Sequence, residues 1–411
     1  MRLARLRIGI LPALCIWFLL SPLESGWQSP AVAPVYDRGP LLSMSAPLIE
    51  RGYSSKHPLI TQTPLAVASY SQDSAERLIR YEASHPAMGT VFTLVVYGPD
   101  REYLAEVASE VFDGIDQLDG QMSNYQPTSE LSRINREAAR GPVLVEPQLF
   151  RLIQDSVRTS AETGGAFDIT VGPLMKTWGF FRGRGRLPAP AEIAAALKHV
   201  GYRNLELNTA ERTLRFQRGG MEIDLGGIAK GYAVDQAVEI LRSRGIRSAL
   251  VSSGTSSIYA LGSPPGERGW QVTVRSPYDA RKAADIVRLR NFSLSISGDY
   301  ERFFRIGGRL YCHIMDPHTG RPVENMLATV VLAARATETD ALSTAFFVMG
   351  KEGTRKYLSA HPNLVGILYQ PAGPSGAYRR VVLRSPSYNL PPNVLVELEG
   401  RRAASPSAPK H

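Results

Sequence analysis

The chain has 411 residues, a mass of 45.0 kDa and a formal net charge of +9 at pH 7. Its hydrophobic content of 44% and charged content of 21% are close to the globular average, which excludes a wholly disordered or fibrous chain. The two cysteines, Cys15 and Cys312, exclude a disulfide framework and a zinc cluster built from several cysteines. Arg2, Arg5 and Arg7 lie at the N-terminus, so the remaining basic excess is mild and spread out. It suits anionic small molecules or an anionic membrane surface, and we expect no nucleic-acid partner.

The N-terminus has the pattern of a secretory signal. Its arginines precede 13 uncharged residues, 8–20, whereas a transmembrane helix needs roughly 20 apolar residues. Ala31-Val32-Ala33 has the small-x-small form of a cleavage site, but Pro34 follows it and is expected to hinder cleavage. Residues 1–33 are therefore predicted to be either a signal peptide or an N-terminal anchor. We expect the protein to be exported, and to work in the periplasm or to face it from the inner membrane.

Three further regions follow along the chain. Residues 34–80 are rich in proline and serine and are predicted to form an extended, disordered linker. Residues 81–385 are predicted to form the globular part, and residues 386–411 a C-terminal tail.

Within the globular part, the hydrophobic pattern predicts alternating strands and helices. Strands are predicted at 90–97, 221–225 and 248–252. Helices are predicted at 101–122, 149–163 (ending at Gly164-Gly165), 229–244 (ending at Gly245) and 340–349, and a loop at 180–190. The strand 221–225, the helix 229–244 and the strand 248–252 would form a local βαβ unit.

The first segment that could bind a ligand or take part in a reaction is Asp224-Leu-Gly-Gly-Ile-Ala-Lys230-Gly. A carboxylate precedes two glycines, which allow close approach of a ligand, and a helix then begins. Helix N-termini attract phosphate, and Lys230 would add a cation on the first turn. The glycine and lysine spacing is not that of a Walker loop. Taken alone, the segment is also compatible with plain strand-to-helix packing.

The second segment is His313-Ile-Met-Asp316-Pro-His318-Thr-Gly320. Two histidines and an aspartate within six residues could form a catalytic or a metal-binding loop. An Asp-Pro turn that happens to contain histidines is the alternative.

The third segment is Glu338-Thr-Asp340-Ala-Leu-Ser-Thr344. Asp340 could cap the helix that follows it. Alternatively, Asp340 and Thr344 lie one helical turn apart and offer two oxygen ligands to a hard cation such as Mg²⁺.

Together, these and other segments resemble the FAD:protein FMN transferases of the ApbE family. Eight segments occur in the order seen in that family, between Met88 and Gly350: Met88-Gly-Thr90, Ser123-Asn-Tyr125, Ser129-Glu-Leu-Ser-Arg-Ile-Asn135, GAFDITVGPL, IDLGGIAKGYAVD, SGDYER, HIMDPHTGRPV and TDALSTAFFVMG. The resemblance implies an α+β fold, with a single ApbE-type catalytic unit and a T-fold-like core. It also implies a Mg²⁺-dependent enzyme that attaches FMN from FAD to a threonine or serine of a partner flavoprotein and releases AMP. We expect that partner to be a subunit of a membrane redox complex.

The resemblance also implies roles for individual residues. The predicted metal ligands are Asp340, Thr344 and the main-chain carbonyl of Gly227, and the predicted catalytic base is His313. The residues predicted to contact FAD are Met88, Tyr125, Ala166, Phe167, Asp168, Asp224, Lys230 and Ile314.

One position departs from the family pattern. Thr255 follows Gly254 where the family usually has a second glycine, which could alter how closely the backbone approaches the ligand. Two rival functions remain open. One is a hydrolase that splits FAD into FMN and AMP at the same site, and the other is a flavin-binding protein without turnover.

Overall fold

The computed structural model describes residues 78–400, except for 184, 300–301 and 374–375. The predicted signal segment, nearly all of the predicted linker and the last residues of the predicted tail lie outside the described residues.

The helices bury apolar side chains in the hydrophobic clusters of the molecule. In the described residues they are α1 (Arg101–Met122), α2 (Glu130–Glu137), α3 (Pro147–Glu162), α4 (Gly172–Thr177), α5 (Pro190–Leu197), α6 (Ala229–Ser243) and α7 (Ala336–Ser359). Short 3₁₀ turns lie at Ile169–Val171, Phe180–Arg182 and Tyr202–Asn204. The predictions of α1, α3 and α6 are confirmed, α1 with the same bounds. None of the helices in the described part of the chain is long and apolar enough to span a membrane.

The main sheet is antiparallel throughout. Its strands are β1 (Ile79–Ala87), β2 (Thr90–Gly98), β6 (Ser248–Ser253), β7 (Ser257–Leu261), β10 (Phe292–Gly298), β15 (Ala328–Ala333), β16 (Val365–Pro371) and β17 (Tyr378–Arg384), in this spatial order. Apolar side chains of α1, α6 and α7 form one continuous buried cluster with side chains of this sheet. The predicted strands at 90–97 and 248–252 are confirmed as β2 and β6.

The remaining strands form small antiparallel sheets. They are β3 (Val143–Leu144), β4 (Leu205–Asn208) and β5 (Thr213–Phe216); β8 (Trp270–Arg275), β9 (Ala283–Arg290) and β18 (Leu395–Gly400); the hairpin of β11 (Phe303–Ile306) and β12 (Arg309–Cys312); and the pair β13 (Met315–Asp316) and β14 (Arg321–Pro322). Strand β18 lies within the segment 386–411 and pairs with β9. Helices and antiparallel sheets together confirm the α+β fold class.

The predicted βαβ unit is wrong. Residues 221–225 are extended but form no strand, and β6 pairs antiparallel with β2 and β7. Met221, Ile223 and Leu225 are buried and alternate with polar residues, which mimics a strand. The main chain of Ile223 instead exchanges hydrogen bonds with the side-chain amide of Asn135, at 2.7 and 2.9 Å.

The interpretation of Asp340 as a helix cap is also wrong. Helix α7 begins at Ala336, so Asp340 lies inside it. The carboxylate of Asp235, on α6, accepts hydrogen bonds from the main-chain N–H groups of Ala336 and Thr337 at 2.8 and 2.9 Å. An aspartate from a neighbouring helix therefore does the capping. The regular helix is interrupted at Gly350, which has φ 65°, directly after the predicted end at 349.

Helices α6 and α7 approach each other most closely at Gly231. A Cβ atom at this position would lie 2.1 Å from the carbonyl oxygen of Ala336. We expect Gly231→Ala to lower the free energy of unfolding by about 1–3 kcal/mol or more, because the helices must move apart. Urea denaturation measures this change.

Gly120→Ala is the matched control, since Gly120 lies in α1 with no atom within 4 Å of the added methyl group. It is expected to stabilise the protein by up to about 1 kcal/mol through helix propensity. Equal effects of the two substitutions would contradict the close helix crossing.

Candidate functional site

The segment Asp224–Lys230 forms a tight turn that leads into the first residues of α6. The Oδ1 atom of Asp224 accepts a hydrogen bond from the N–H of Gly226 at 2.8 Å. The Nζ atom of Lys230 donates to the carbonyl oxygen of Gly226 at 3.0 Å. Ile228, which precedes the helix, provides no side-chain cap. The turn thus holds a carboxylate and an ammonium group beside the N-terminal end of a helix, where the positive end of the helix dipole favours anions.

The three predicted metal ligands lie together. Asp340 accepts a hydrogen bond from the N–H of Gly231 at 2.9 Å, which holds it against the start of α6. Thr344 lies one turn further along α7, and its Oγ1 atom lies 3.4 Å from where a Cβ of Gly227 would be. The hydroxyl groups of Ser297 and Thr344 are 3.4 Å apart, which orients the threonine side chain.

The surroundings of Asp340 fit a cation. Its side chain is buried, with 3% exposure, and among the described residues no lysine, arginine or histidine forms an ion pair with it. A buried carboxylate without a positive partner is strongly unfavourable, so this group fits a divalent metal ion. No group of three His, Cys, Asp or Glu residues suited to a metal occurs anywhere in the described chain, and this site has a single carboxylate. One carboxylate with neutral oxygen ligands is typical of Mg²⁺, which retains waters and substrate phosphates.

Arg302 connects the predicted base to the predicted flavin contact. Its carbonyl oxygen lies 3.1 Å from the Nδ1 atom of His313, and its positive charge acts on the hydroxyl group of Tyr125, where it lowers the pKa. Because a carbonyl can only accept, Nδ1 of His313 carries the proton and Nε2 keeps its lone pair. Gly89, next to Met88, packs against the guanidinium of Arg302, where its Cβ would lie 3.0 Å from Nη2.

His313 is neutral at physiological pH. Desolvation by burial, together with the positive charges of Arg302 and Lys230, lowers its pKa from 6.5 to about 3. Desolvation and the nearby carboxylate of Asp224 raise the pKa of Tyr125. The charges of Asp224, Lys230 and Arg302 therefore act on the same small region, although Arg302 is far from the other two residues in sequence.

The side chains of two residues predicted to contact FAD, Asp168 and Ile314, instead contact other parts of the protein. The carboxylate of Asp168 is buried and accepts hydrogen bonds from Thr170 at 2.6 and 2.8 Å and from the N–H of Tyr202 at 2.8 Å. Burial raises its pKa in spite of these bonds. The side chain of Ile314 packs in an apolar cluster with Phe347 and other residues. Phe167 instead reaches the site, because its ring packs beside Gly227, while Ala166 is buried next to it.

The segment 313–320 is a structured turn and not a single metal cluster. His318 contacts Asp316 through Nδ1 at 3.1 Å, and its Nε2 atom lies 3.1 Å from the carbonyl oxygen of Gly164. Thr319 donates to the other carboxylate oxygen of Asp316 at 3.0 Å. His313 makes none of these contacts, so the two histidines have separate positions.

Sequence reasoning missed two contributors to the site. Arg302 lies in the quoted motif SGDYER but had no assigned role. Phe181 stacks on Tyr125, with ring centroids 4.9 Å apart and planes inclined by 11°, and Lys176 lies 5.1 Å above the Phe181 ring. Tyr125 is nevertheless 61% exposed, so the ring face opposite Phe181 is open. No local pattern in the sequence indicates this pairing of a bend with a 3₁₀ turn.

Gly254 and Thr255 lie in the turn between β6 and β7. The N–H of Gly254 donates to the carbonyl oxygen of Val91 at 2.8 Å, next to the turn that carries Met88.

The electrostatic coupling to His313 can be measured directly. We expect Lys230→Met to raise the pKa of His313 from about 3, because the substitution removes a positive charge that opposes protonation. Histidine NMR signals followed from pH 7 to pH 3 report this pKa. Since an unfolded histidine titrates near 6.5, His313 is expected to lower the free energy of unfolding as the pH falls from about 6.5 towards 3.

Lys176→Met is the matched control, because Lys176 pairs with Glu222 at 2.6 Å and is not a cause of the His313 shift. An unchanged pKa of His313 in Lys230→Met would contradict the described electrostatics.

Comparison with known proteins identifies relatives over most of the described chain. The model of the ApbE family matches residues 88–368. A protein of Treponema pallidum named FAD:protein FMN transferase is 33% identical over 72% of this chain and 86% of its own length. A protein of Salmonella typhimurium with the same name is 32% identical over 64% of this chain and 77% of its own length.

Solved structures agree with the sequence relatives. The ApbE protein of Thermotoga maritima superposes with a TM-score of 0.68 at 31% identity, covering 75% of this chain and 98% of that chain. The flavinyl transferase ApbE of Pseudomonas stutzeri in its apo form gives a TM-score of 0.67 at 29% identity, covering 76% and 96%. By its sequence and its fold, this chain belongs to the ApbE family.

Proposed function

We propose that this protein is a Mg²⁺-dependent FAD:protein FMN transferase, with a catalytic unit spanning residues 81–385. The observation that carries the proposal is the contact of α7 with the turn 224–230. It brings the buried carboxylate of Asp340, which has no ion-pair partner among the described residues, against Gly231. Gly231 follows Lys230, whose charge acts on the predicted base. The transferases named among the relatives support the same reaction.

Flavin binding is assigned to the aromatic side chains. The open face of Tyr125 offers a stacking surface for the isoalloxazine ring. Phe181 packs against the opposite face of the Tyr125 ring. The phosphates would lie near the start of α6, where Lys230 and Arg302 provide positive charge. When bound by Asp340, Thr344 and the carbonyl of Gly227, Mg²⁺ would neutralise charge on the non-bridging oxygens.

The reaction requires one proton transfer by the protein. The hydroxyl oxygen of the acceptor attacks the FMN phosphorus, and the bond from this phosphorus to the bridging oxygen breaks. The bridging oxygen leaves with AMP. The hydroxyl proton passes to Nε2 of His313, whose other ring nitrogen is fixed by the carbonyl oxygen of Arg302. Water in place of the acceptor would give FMN and AMP by the same steps.

Co-expression of the full chain with an exported flavoprotein domain tests the proposal. Intact mass of that domain is expected to increase by one FMN less one water. Conversion of FAD to FMN and AMP with an unmodified domain would mean a hydrolase. Retention of intact FAD in the presence of Mg²⁺ would mean a binding protein.

Asp340→Ala is expected to reduce transfer by about 10²-fold or more, because charge stabilisation by a metal contributes several kcal/mol. Activity at varied Mg²⁺ and Mg²⁺ calorimetry measure the loss, and circular dichroism checks the fold. Glu352→Ala is the control on the same helix, since the Glu352 side chain is 74% exposed. A folded Asp340→Ala protein with full Mg²⁺-dependent activity would show that the metal assignment is wrong.

His313→Ala is expected to slow transfer by a factor of about 10²–10⁴, typical of a lost general base, while FAD binding persists. Single-turnover kinetics and flavin fluorescence separate the two effects. His318→Ala is expected to be milder, because His318 links the turn to Gly164. The reverse order of effects would exchange the two assignments.

We also propose that the protein is exported and modifies a subunit of a membrane redox complex. The basic N-terminus, the short apolar stretch and the proline-rich segment motivate this proposal. If the N-terminus stays anchored, the predicted linker of about 50 residues would reach roughly 40 Å as a random coil. In cell fractionation, a full-length protein in the membrane indicates an anchor, and a shortened periplasmic protein indicates cleavage. A full-length protein in the cytoplasm would contradict export.

A further inference from the structure

The hairpin of β11 and β12 carries the candidate site at its base. Its strands end in the turn Gly307-Gly308, where both residues have positive φ (58° and 78°). At the opposite end, the N–H of His313 donates to the carbonyl oxygen of Arg302 at 3.0 Å. Strand β11 therefore begins directly beside the predicted base and runs away from it.

The outer edge of β11 is open. Within the described residues, β11 pairs only with β12. Hydrogen bonding alternates along an antiparallel pair, and Arg302 bonds to His313. It follows that Phe304 and Ile306 direct their main-chain groups towards β12, whereas those of Phe303 and Arg305 point outwards. Proteins usually protect such edges, because they pair readily with another extended segment.

The side chains of this edge favour one kind of partner. Phe303 and Ile306 are 37% and 39% exposed. The guanidinium of Arg305 lies 5.6 Å from the centre of the Phe303 ring. Among the described residues it forms no ion pair, although its charge opposes the rise in the pKa of Asp299 that burial causes. Side chains alternate along a strand, so Phe303 and Arg305 lie on one face of β11 and Ile306 lies on the other. Exposed apolar side chains beside a cation complement a segment that contains apolar and acidic side chains.

We propose that β11 is the docking edge for the acceptor protein. An extended segment of the acceptor pairs with β11 as an added strand and places its threonine or serine at the base of the hairpin. This inference rests on the proposed transferase function, which requires a protein hydroxyl beside His313. At about 3.3 Å per residue, Arg305 lies roughly 10 Å along the strand from Arg302. The acceptor should therefore carry an acidic residue about three positions from the modified residue.

A peptide library tests the docking edge. The probes are ten-residue peptides with a central threonine and randomised flanking positions, incubated with the full chain, FAD and Mg²⁺. Peptides that acquire FMN are isolated by flavin fluorescence and sequenced. We expect enrichment of aspartate or glutamate about three positions from the threonine, with apolar residues between.

Substitutions at Arg305 distinguish the contribution of its charge to peptide binding from that of main-chain pairing. Arg305→Glu is expected to replace the acidic preference by a basic one and to slow labelling of the selected peptides at least tenfold. Arg305→Pro removes the outward N–H and is expected to slow labelling more than Arg305→Ala does. The FAD dissociation constant should stay the same in all three variants, which also shows that they fold.

Arg281→Glu is the matched control, because this side chain is 92% exposed and lies between β8 and β9. An unchanged peptide preference in Arg305→Glu would overturn the inference. Labelling of a folded acceptor domain without labelling of any peptide would also overturn it, while the proposed function would stand. If the wild-type chain labels neither domain nor peptide, the proposed function itself fails.

Discussion

The site depends on the antiparallel crossing of α6 and α7. Three positions spaced by four residues on one side face three positions with the same spacing on the other: Gly227, Gly231 and Asp235 against Thr344, Asp340 and Ala336. Gly231 allows the close approach, Asp235 caps α7, and the N–H of Gly231 binds the carboxylate of Asp340. Because these contacts fix both the distance and the rotation of the two helices, they also fix where Thr344 meets Gly227. The relative positions of the predicted metal ligands are thus a consequence of helix packing.

This packing would make binding of the proposed metal ion and the stability of the fold interdependent. Asp340 is buried without a positive partner in the described chain, so the protein holds an uncompensated charge at the helix crossing. A cation that binds only the folded state would stabilise it in proportion to its concentration over its dissociation constant. The cost of the buried carboxylate and the affinity for the metal therefore have the same physical origin.

Much of the fold could be predicted from the sequence, because local patterns determine it. The apolar spacing of α1 indicates the helix to the residue, and the spacing of Asp340 and Thr344 brings them onto one helical face. Contacts between distant segments determine the parts of the fold and of the site that local patterns do not predict. The segment 221–225 alternates like a strand, yet its hydrogen bonds go to Asn135, which lies 88 residues away along the chain. The capping of α7 by Asp235, the stacking of Phe181 on Tyr125 and the role of Arg302 likewise join distant segments.

The charges around His313 suggest how substrate binding activates the base. Desolvation by burial, together with the charges of Arg302 and Lys230, lowers the pKa of His313 to about 3 in the free protein, which makes the imidazole a weak base. The same two cations are suited to neutralise the diphosphate of FAD. Once negative phosphates lie beside them, the effect of the two cations on the imidazole decreases, and their part of the pKa shift is removed. A base is most effective when its pKa approaches the working pH. His313 is therefore expected to become an effective base only in the complex with FAD.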